Sequence, residues 1–226
     1  LVIRHHVNLC SGGLFCNQTY AMAYKPDHGA YREDFRFHPY NILLILVLLS
    51  ITALFLAFSI AYIYSRFDTS SPPVRVPAIF VLNTLVLLAG SYTLVLTKRA
   101  YRNDQTEMYK RYLGATLILT FLFLVLQIIG WQQLFSQNIF INSSTSASYL
   151  YVISGLHFAH VVAGIPFLGI FLYTAWKRMR EPVSVLVYFS DPEKKLKLRL
   201  LTLYWHFIDA LWIYLVLFFW INYLVK

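Results

Sequence analysis

Four ionisable side chains lie within long apolar stretches of this sequence, where ionisable groups are rare. His157 and His160 belong to the stretch SGLHFAHVVAG, and His206 and Asp209 belong to LYWHFIDALWIYLVLFFW. The two members of each pair are three residues apart, so they lie on one face of a helix. Imidazole and carboxylate groups arranged in this way can relay protons, bind a metal or haem, or hydrogen-bond to one another.

The segments that carry these residues are predicted to cross a membrane. Of the 226 residues, 58% are hydrophobic and only 13% are charged, whereas a soluble domain has about 25% charged residues. A bilayer core about 30 Å thick requires about 20 apolar residues per helix. Five stretches free of Lys, Arg and Glu meet this requirement: 40–64, 77–97, 112–135, 148–176 and 200–225. We therefore predict an all-α, polytopic membrane protein whose residues 40–226 form a single bundle of five transmembrane helices.

The basic residues are divided unequally between the two ends of this bundle. Of the 19 Lys and Arg residues, only Arg66, Arg75 and Lys226 lie on the side opposite the N-terminus. This asymmetry predicts a cytoplasmic N-terminus and a periplasmic C-terminus. The net charge of +9 then reflects topology and contact with anionic lipid, and no nucleic-acid partner is required to explain it. Lys177 and Arg178, at the cytoplasmic end of the fourth span, are candidate contacts to lipid headgroups.

The N-terminal region differs from the rest of the chain. Residues 1–21 contain no Met and no apolar core of signal-peptide length, and Met22 opens a polar stretch. We expect residues 22–39 to form a polar cytoplasmic tail. Residues 1–21 are interpreted as a doubtful leader or an over-extended reading frame.

Asp209 is the residue that most needs an explanation. It lies three residues from the middle of the last span, about 5 Å from the membrane midplane at 1.5 Å per residue, and its side chain is too short to reach water. We consider three interpretations: an internally satisfied polar cluster, contact with a partner subunit or lipid, and a proton relay or metal site. A hydrogen bond between His160 and Asp209 is expected, because both lie near mid-membrane on neighbouring helices.

Metal and haem sites have weaker support from the sequence. Two histidines with this spacing bind one ion when another helix supplies carboxylates, but Asp209 is the only acidic residue in the five spans. A haem would need His157 or His160 together with His206. We therefore predict no metal and no catalytic residue in this chain.

Two further patterns concern helix packing. Small residues on the fourth span predict close approach of a neighbouring helix; they are Ser154, Gly155, Ala159, Ala163 and Gly164. Tryptophans near the predicted helix ends are typical of the aromatic belt at the membrane interface; they are Trp131, Trp176, Trp205 and Trp220.

Three stretches together resemble subunit III of the haem–copper terminal oxidases, the cytochrome c oxidase subunit III family. LYWHFIDALWIYLVLFFWI is similar to the family's YWHF-x-D-x-x-W helix, and GLHFAHVVAGI to its GLH-x-x-HV-x-x-G helix. LNTLVLLAGSYTL is similar to NT-x-x-L-x-x-S-S-x-T, with Gly90 in place of one serine. The resemblance covers all five spans, from about His38 to Tyr223, and is to the short bacterial form of five helices.

The resemblance implies a non-catalytic subunit of the bacterial plasma membrane, without a redox centre of its own. Haem and copper are expected in partner subunits, namely the large haem–copper subunit I, with subunit II also present. The implied complex reduces O₂ to water with electrons from cytochrome c or quinol and pumps protons, while this subunit holds phospholipids and supports proton uptake.

The resemblance also assigns roles to particular residues. It implies structural, lipid-contact or subunit-contact roles for six of them: His157, His160, Trp205, His206, Asp209 and Trp212. Many family members have a glutamate in the first span, and Ile51 stands at that position here. No role that depends on that carboxylate is expected in this chain.

Two other classes of function remain as alternatives. A stand-alone transporter would use His157, His160, His206 and Asp209 as a proton relay, although five spans provide no inverted repeat. A di-haem membrane cytochrome would show haem absorbance in the isolated chain.

Overall fold

The computed structural model describes residues 39–69, 74, 77–178 and 191–225. Five helices make up this part of the chain: α1 (Pro39–Thr69), α2 (Ala78–Arg102), α3 (Thr106–Ser136), α4 (Thr145–Arg178) and α5 (Pro192–Leu224). All five are long and apolar enough to cross a membrane. The predicted all-α fold with five membrane-spanning helices is confirmed. The expectations for residues 1–21 and 22–38 lie outside the described residues.

Helices α1, α3 and α4 begin earlier and end later than the apolar stretches that predicted them. Helix α5 differs most from its prediction. It begins at Pro192, eight residues before the predicted start. The Asp191 carboxylate accepts a hydrogen bond of 2.9 Å from the Glu193 N–H, and proline at the first helical position is already fixed in a helical φ. An ion pair of 2.6 Å between Lys197 and Glu193 links the first turns. Hydropathy detects only the apolar part of a helix, so this polar beginning was missed.

The short connection between α2 and α3 makes these helices an antiparallel hairpin. Asp104 has a φ of 53°, a conformation in which Asp and Asn are enriched among non-glycine residues, and the Gln105 N–H donates to the Ala100 carbonyl across the turn. The α2–α3 contact is the most extensive in the bundle. Helix α5 packs against α2 and α4, and α1 packs against α4 and α5.

Gly130 is a point of close approach within the hairpin. A Cβ atom at this position would lie 2.6 Å from Phe80 Cε1 and 3.1 Å from Ile79 Cγ2. The Phe80 ring is itself buried and packs edge-on against Trp212 at 5.6 Å between ring centroids. Glycine at position 130 thus allows α2 and α3 to pack at this distance.

The small-residue pattern on α4 is only partly used. Gly164 lies against α5, where an added Cβ would be 3.0 Å from the Tyr204 ring and 3.2 Å from the Trp205 ring. Ser154 is buried. Ala159 and Ala163 are exposed, and nothing lies within 4 Å of a Cβ built on Gly155. The predicted close approach of a neighbouring helix therefore occurs at Gly164, while Ala159 and Ala163 lie on an exposed face of α4.

Arg66 joins the ends of α1 and α5. One of its terminal nitrogens donates to the Asn222 carbonyl at 2.7 Å and to the Asn222 side-chain oxygen at 3.2 Å. The other donates to the Val225 carbonyl at 2.6 Å. These carbonyls lie at the C-terminus of α5, where backbone acceptors lack partners within the helix and a positive charge is favoured.

Candidate functional site

Ser91 lies next to both His206 and Asp209. Its hydroxyl on α2 lies 2.6 Å from His206 Nδ1 on α5 and is also a neighbour of the Asp209 carboxyl. Asp209 is only 6% exposed, whereas His206 is half-buried. The spacing of three residues on α5 places both side chains toward the same serine. The buried carboxyl thus has a polar neighbour within the chain.

The Ser91 hydroxyl can bond to His206 in two ways, because a hydroxyl both donates and accepts. It can donate its proton to an unprotonated His206 Nδ1, or accept a hydrogen bond from a protonated one. The second arrangement leaves the serine proton available for the neighbouring Asp209 carboxyl.

His157 lies in a separate aromatic cluster. It is fully buried, and its Nε2 donates to the Ile208 carbonyl of α5 at 3.2 Å. Its ring centroid lies 4.8 Å from that of Trp212 and 5.7 Å from that of Phe123. These contacts tie α4 to α3 and α5 in the middle of the bundle, where the shape of the aromatic rings determines the helix separation.

Trp205 and Trp212 of α5 are both buried within the helix bundle. Trp212 is 1% exposed and donates from Nε1 to the Thr84 hydroxyl on α2 at 3.2 Å. Trp205 is 3% exposed and packs against Gly164 of α4. The prediction that Trp205 belongs to an interfacial belt is therefore wrong. Because α5 begins at Pro192, this residue lies near the middle of the helix and not near its end. Trp176 and Trp220 are exposed.

His160 does not bond to Asp209. Its Nδ1 donates to the Leu156 carbonyl of its own helix at 2.7 Å, and its ring lies 5.9 Å from the Phe55 ring of α1. The expected His160–Asp209 hydrogen bond is wrong. Side chains three residues apart on a helix differ in direction by about 60°, and here His157 is directed toward Ile208 of α5 while His160 is directed toward Phe55 of α1.

The four ionisable side chains therefore form no single chain of hydrogen bonds. His206 and Asp209 share Ser91, His157 bonds to a backbone carbonyl, and His160 faces another helix. Within the described part of the chain, no three His, Cys, Asp or Glu residues are arranged to hold a metal ion. The arrangement can hold helices in register.

The remaining predicted positions lie at the helix ends or in the core. Lys177 is exposed, and its ammonium lies 5.8 Å above the Tyr173 ring. Arg178 ends α4, and its side chain lies outside the described part of the structure. Ile51, at the position of the family's glutamate, is buried in the core at 6% exposure.

Sequence reasoning missed several partners that are polar but not ionisable. Ser91 and Thr84 on α2 satisfy the key residues of α5. Asn83 donates to Gln127 across the α2–α3 interface at 2.9 Å, with both side chains fully buried. The signal was present in the stretch LNTLVLLAGSYTL, whose Asn, Thr and Ser recur at helical spacing.

Comparison with known proteins identifies the family to which this chain belongs. The family model of cytochrome c oxidase subunit III matches residues 29–223, which include nearly all of the five helices. The chain belongs to the cytochrome c oxidase subunit III family. The resemblance of the α2, α4 and α5 motifs to this family is thereby confirmed. A subunit III is one chain of a multi-subunit oxidoreductase, and this chain is a multi-pass membrane subunit of that kind.

The relatives of this chain include bacterial and animal proteins named cytochrome c oxidase subunit 3. The Synechocystis protein is 29% identical over 178 residues, which are 76% of this chain and 70% of that protein. The protein of Bacillus sp. strain PS3 is 26% identical over 169 residues, covering 73% and 76% of the two chains. The Papio hamadryas protein is 29% identical over 143 residues, and this match spans 49% of its length.

Proposed function

We propose that this chain is a non-catalytic subunit III that stabilises the large haem–copper subunit of a bacterial plasma-membrane oxidase. In this proposal it packs beside subunit I in a complex that also contains subunit II. Haem and copper reside in those partners, which reduce O₂ to water and pump protons. Electrons from cytochrome c or quinol enter the complex through chains other than this one.

The observation that carries the proposal is that the buried Asp209 and the half-buried His206 of α5 both face Ser91 of α2, whose hydroxyl lies 2.6 Å from His206 Nδ1. A relay or transport group must be reached by substrate, whereas the Asp209 carboxyl is buried between helices. His157 is likewise bonded to a backbone carbonyl. Buried groups with partners of this kind fix which helices meet and in what register, which suits a subunit that supports its neighbours.

The surface of the bundle supports a role in holding phospholipids. Helix α1 has no buried side chain in its first twelve residues, and large apolar side chains such as Leu43 and Leu49 are more than 60% exposed. Lys194, Lys195 and Lys197 open α5, and Lys177 is exposed near the end of α4. Apolar faces next to lysines fit acyl chains and anionic headgroups, at about 1 kcal/mol per basic residue near the surface.

In this proposal the N-terminus lies in the cytoplasm and the C-terminus in the periplasm. The basic ends of α2, α4 and α5 then face the cytoplasm together. In this proposal the chain also supports proton uptake. The orientation fits this role, because protons enter a pumping oxidase from the cytoplasmic side.

The experiment that tests the function is purification of the tagged chain from native membranes in a gentle detergent. Partners are identified by mass and their ratio to this chain is measured. We expect one-to-one recovery with a large polytopic subunit that carries haem and copper. Recovery of a lone, stable, folded chain that moves protons after reconstitution would instead establish the transporter, and haem absorbance in the lone chain would establish the cytochrome.

A further inference from the structure

His160 has one ring nitrogen without a hydrogen-bond partner, and it lies near the middle of the membrane. The middle of the apolar stretch 148–176 is residue 162, so His160 is about 3 Å from the midplane at 1.5 Å per residue. Its Nδ1 donates to the Leu156 carbonyl at 2.7 Å, which leaves a lone pair at Nε2 of the neutral ring. Within the described residues, nothing donates a hydrogen bond to this Nε2.

The His160 Nε2 atom can be reached from outside the chain. The residue is half-buried, and the Phe55 ring of α1 covers one side of the imidazole at 5.9 Å between ring centroids. The unpaired Nδ1 of His157 is by contrast enclosed by protein atoms, whereas Nε2 of His160 is not. A donor outside this chain can therefore bond to His160 but not to His157.

The depth of His160 restricts that donor to a protein side chain. The hydrocarbon core is about 30 Å thick, so lipid headgroups lie about 15 Å from the midplane. Acyl chains carry no donor, and the hydrocarbon core contains no water to supply one. Ionisable side chains within membrane spans accordingly face protein and not lipid. The free acceptor of His160 therefore matches a donor on a transmembrane helix of another subunit.

The surface of α4 beside His160 suits the close approach of such a helix. Ala163 lies one turn from His160 and is exposed. Ala159 is also exposed, and no described residue lies within 4 Å of a Cβ built on Gly155. Small residues spaced by four let the backbone of a second helix come close. At that separation the short side chain of a serine or threonine can reach Nε2.

We propose that this face of α4, defined by His160, Ala159 and Ala163, is the docking surface for a transmembrane helix of a partner oxidase subunit. His160 Nε2 accepts a hydrogen bond from a serine or threonine hydroxyl on that helix. The inference rests on the proposed function, because it requires a partner subunit in the membrane. It adds which face of the bundle that subunit covers and which chemical group recognises it.

The structural test uses the complex that is purified from native membranes with the tagged chain. A cryo-EM map of this complex is expected to show a serine or threonine hydroxyl of another subunit within hydrogen-bonding distance of His160 Nε2. An intact complex in which His160 faces lipid, water or only its own chain overturns this inference and leaves the proposed function standing. A chain that is purified without a polytopic partner overturns both.

Two variants test the hydrogen bond and the close approach separately. His160→Phe keeps an aromatic ring beside Phe55 but removes the acceptor, and the apparent dissociation constant of the tagged chain from the rest of the complex should rise about three- to tenfold, as for one interhelical hydrogen bond. Ala163→Leu should release the partner by separating the helices. Ala89→Leu, at an exposed position on α2, is the control and should retain it.

Circular dichroism of the released chains verifies that each variant is folded, which His160 and Ala163 permit because neither is fully buried. An unchanged dissociation constant in both His160→Phe and Ala163→Leu overturns the proposal. Equal release by Ala163→Leu and Ala89→Leu overturns it as well, because the effect would then not belong to this face of α4.

Discussion

The buried Asp209 carboxyl lies next to a serine from another helix. Burial of a carboxyl group is strongly unfavourable without a polar partner, and the Ser91 hydroxyl, which lies 2.6 Å from His206 Nδ1, is also a neighbour of this carboxyl. Residues that sequence alone marks as a potential relay therefore lie at the attachment between α2 and α5.

Replacement of Asp209 by leucine tests whether this carboxyl acts in structure or in chemistry. The Asp209→Leu variant leaves Ser91 and its neighbours without one acceptor, which we expect to lower stability by about 1–3 kcal/mol. Less complex should assemble, or its activity should decay faster during turnover, while the haem spectrum of each assembled complex stays normal. Asp68→Leu, at an exposed position on α1, is the control. A loss of haem absorbance per assembled complex would contradict the structural role.

The Ser91→Ala variant tests the attachment from the other side. Removal of the hydroxyl deprives His206 of its hydrogen-bond partner and the buried Asp209 carboxyl of a polar neighbour. We therefore expect the melting temperature of the purified complex to fall by an amount that corresponds to about 1–3 kcal/mol. Ser50→Ala is a matched control, because Ser50 is exposed on α1 and its hydroxyl bonds only to the Leu46 carbonyl of the same helix. Equal melting temperatures for the two variants would show that Ser91 does not hold α5.

At the level of helices, two local features set how the bundle is joined. Gly130 allows α2 and α3 to approach closely, and Arg66 attaches the end of α1 to the end of α5. Neither feature involves the ionisable residues in the middle of the spans, so the helix arrangement is fixed at more than one depth.

Gly130→Ala is expected to be destabilising. The added methyl group would overlap the Phe80 ring, which cannot move aside because it is packed against Trp212, and overpacking of this kind costs about 1–3 kcal/mol. Gly114→Ala on the same helix has nothing within 4 Å of the new methyl group and should be neutral or stabilising by up to about 1 kcal/mol. Thermal unfolding of the two variants gives the comparison, and a Gly130→Ala variant as stable as Gly114→Ala would refute the close approach.

Arg66→Gln should loosen the end of α5 from α1. Glutamine keeps a polar side chain but lacks the charge and the second donor group that reaches Val225. We expect faster hydrogen–deuterium exchange in the last turn of α5, with little change in the α2–α3 hairpin. Arg111→Gln, at an exposed position on α3, should leave that exchange unchanged. Identical exchange in both variants would rule out the attachment.

The described part of the molecule exposes much of its apolar surface. Among these residues, forty-one large hydrophobic side chains are exposed, and they are densest along the first half of α1. In a membrane such a surface contacts lipid or other subunits, and a bundle whose outer helix is so lightly packed depends on those contacts for its stability.

The chain produced without the other oxidase subunits is therefore expected to be degraded or to aggregate. Its half-life in membranes can be followed by pulse–chase in a strain that lacks the large subunit and in the same strain with that subunit restored. Restoration should lengthen the half-life, because part of the exposed apolar surface is then covered. A half-life that is independent of the large subunit would indicate a self-sufficient protein.

The sequence by itself determined the number and approximate position of the helices, because a bilayer demands about 20 apolar residues per span and each span of this chain meets that demand independently. It also marked His157, His206, Asp209 and Trp212, since polar and aromatic groups stand out in apolar stretches. The motifs around them were enough to indicate the family.

Only the tertiary structure decided which of those residues meet. Contacts between helices depend on how far each helix is rotated about its own axis and on how deep each residue lies in the membrane. A helix that is apolar on all sides gives no sequence signal for its rotation or for the depth of its residues. His160 was therefore paired wrongly with Asp209, and Ser91, an ordinary residue in the sequence, proved to be the hydrogen-bond partner of His206 and a neighbour of Asp209. The structure also decided where α5 begins. Its first residue is Pro192, next to the capping residue Asp191, because helical hydrogen bonding continues beyond the apolar residues that mark a span.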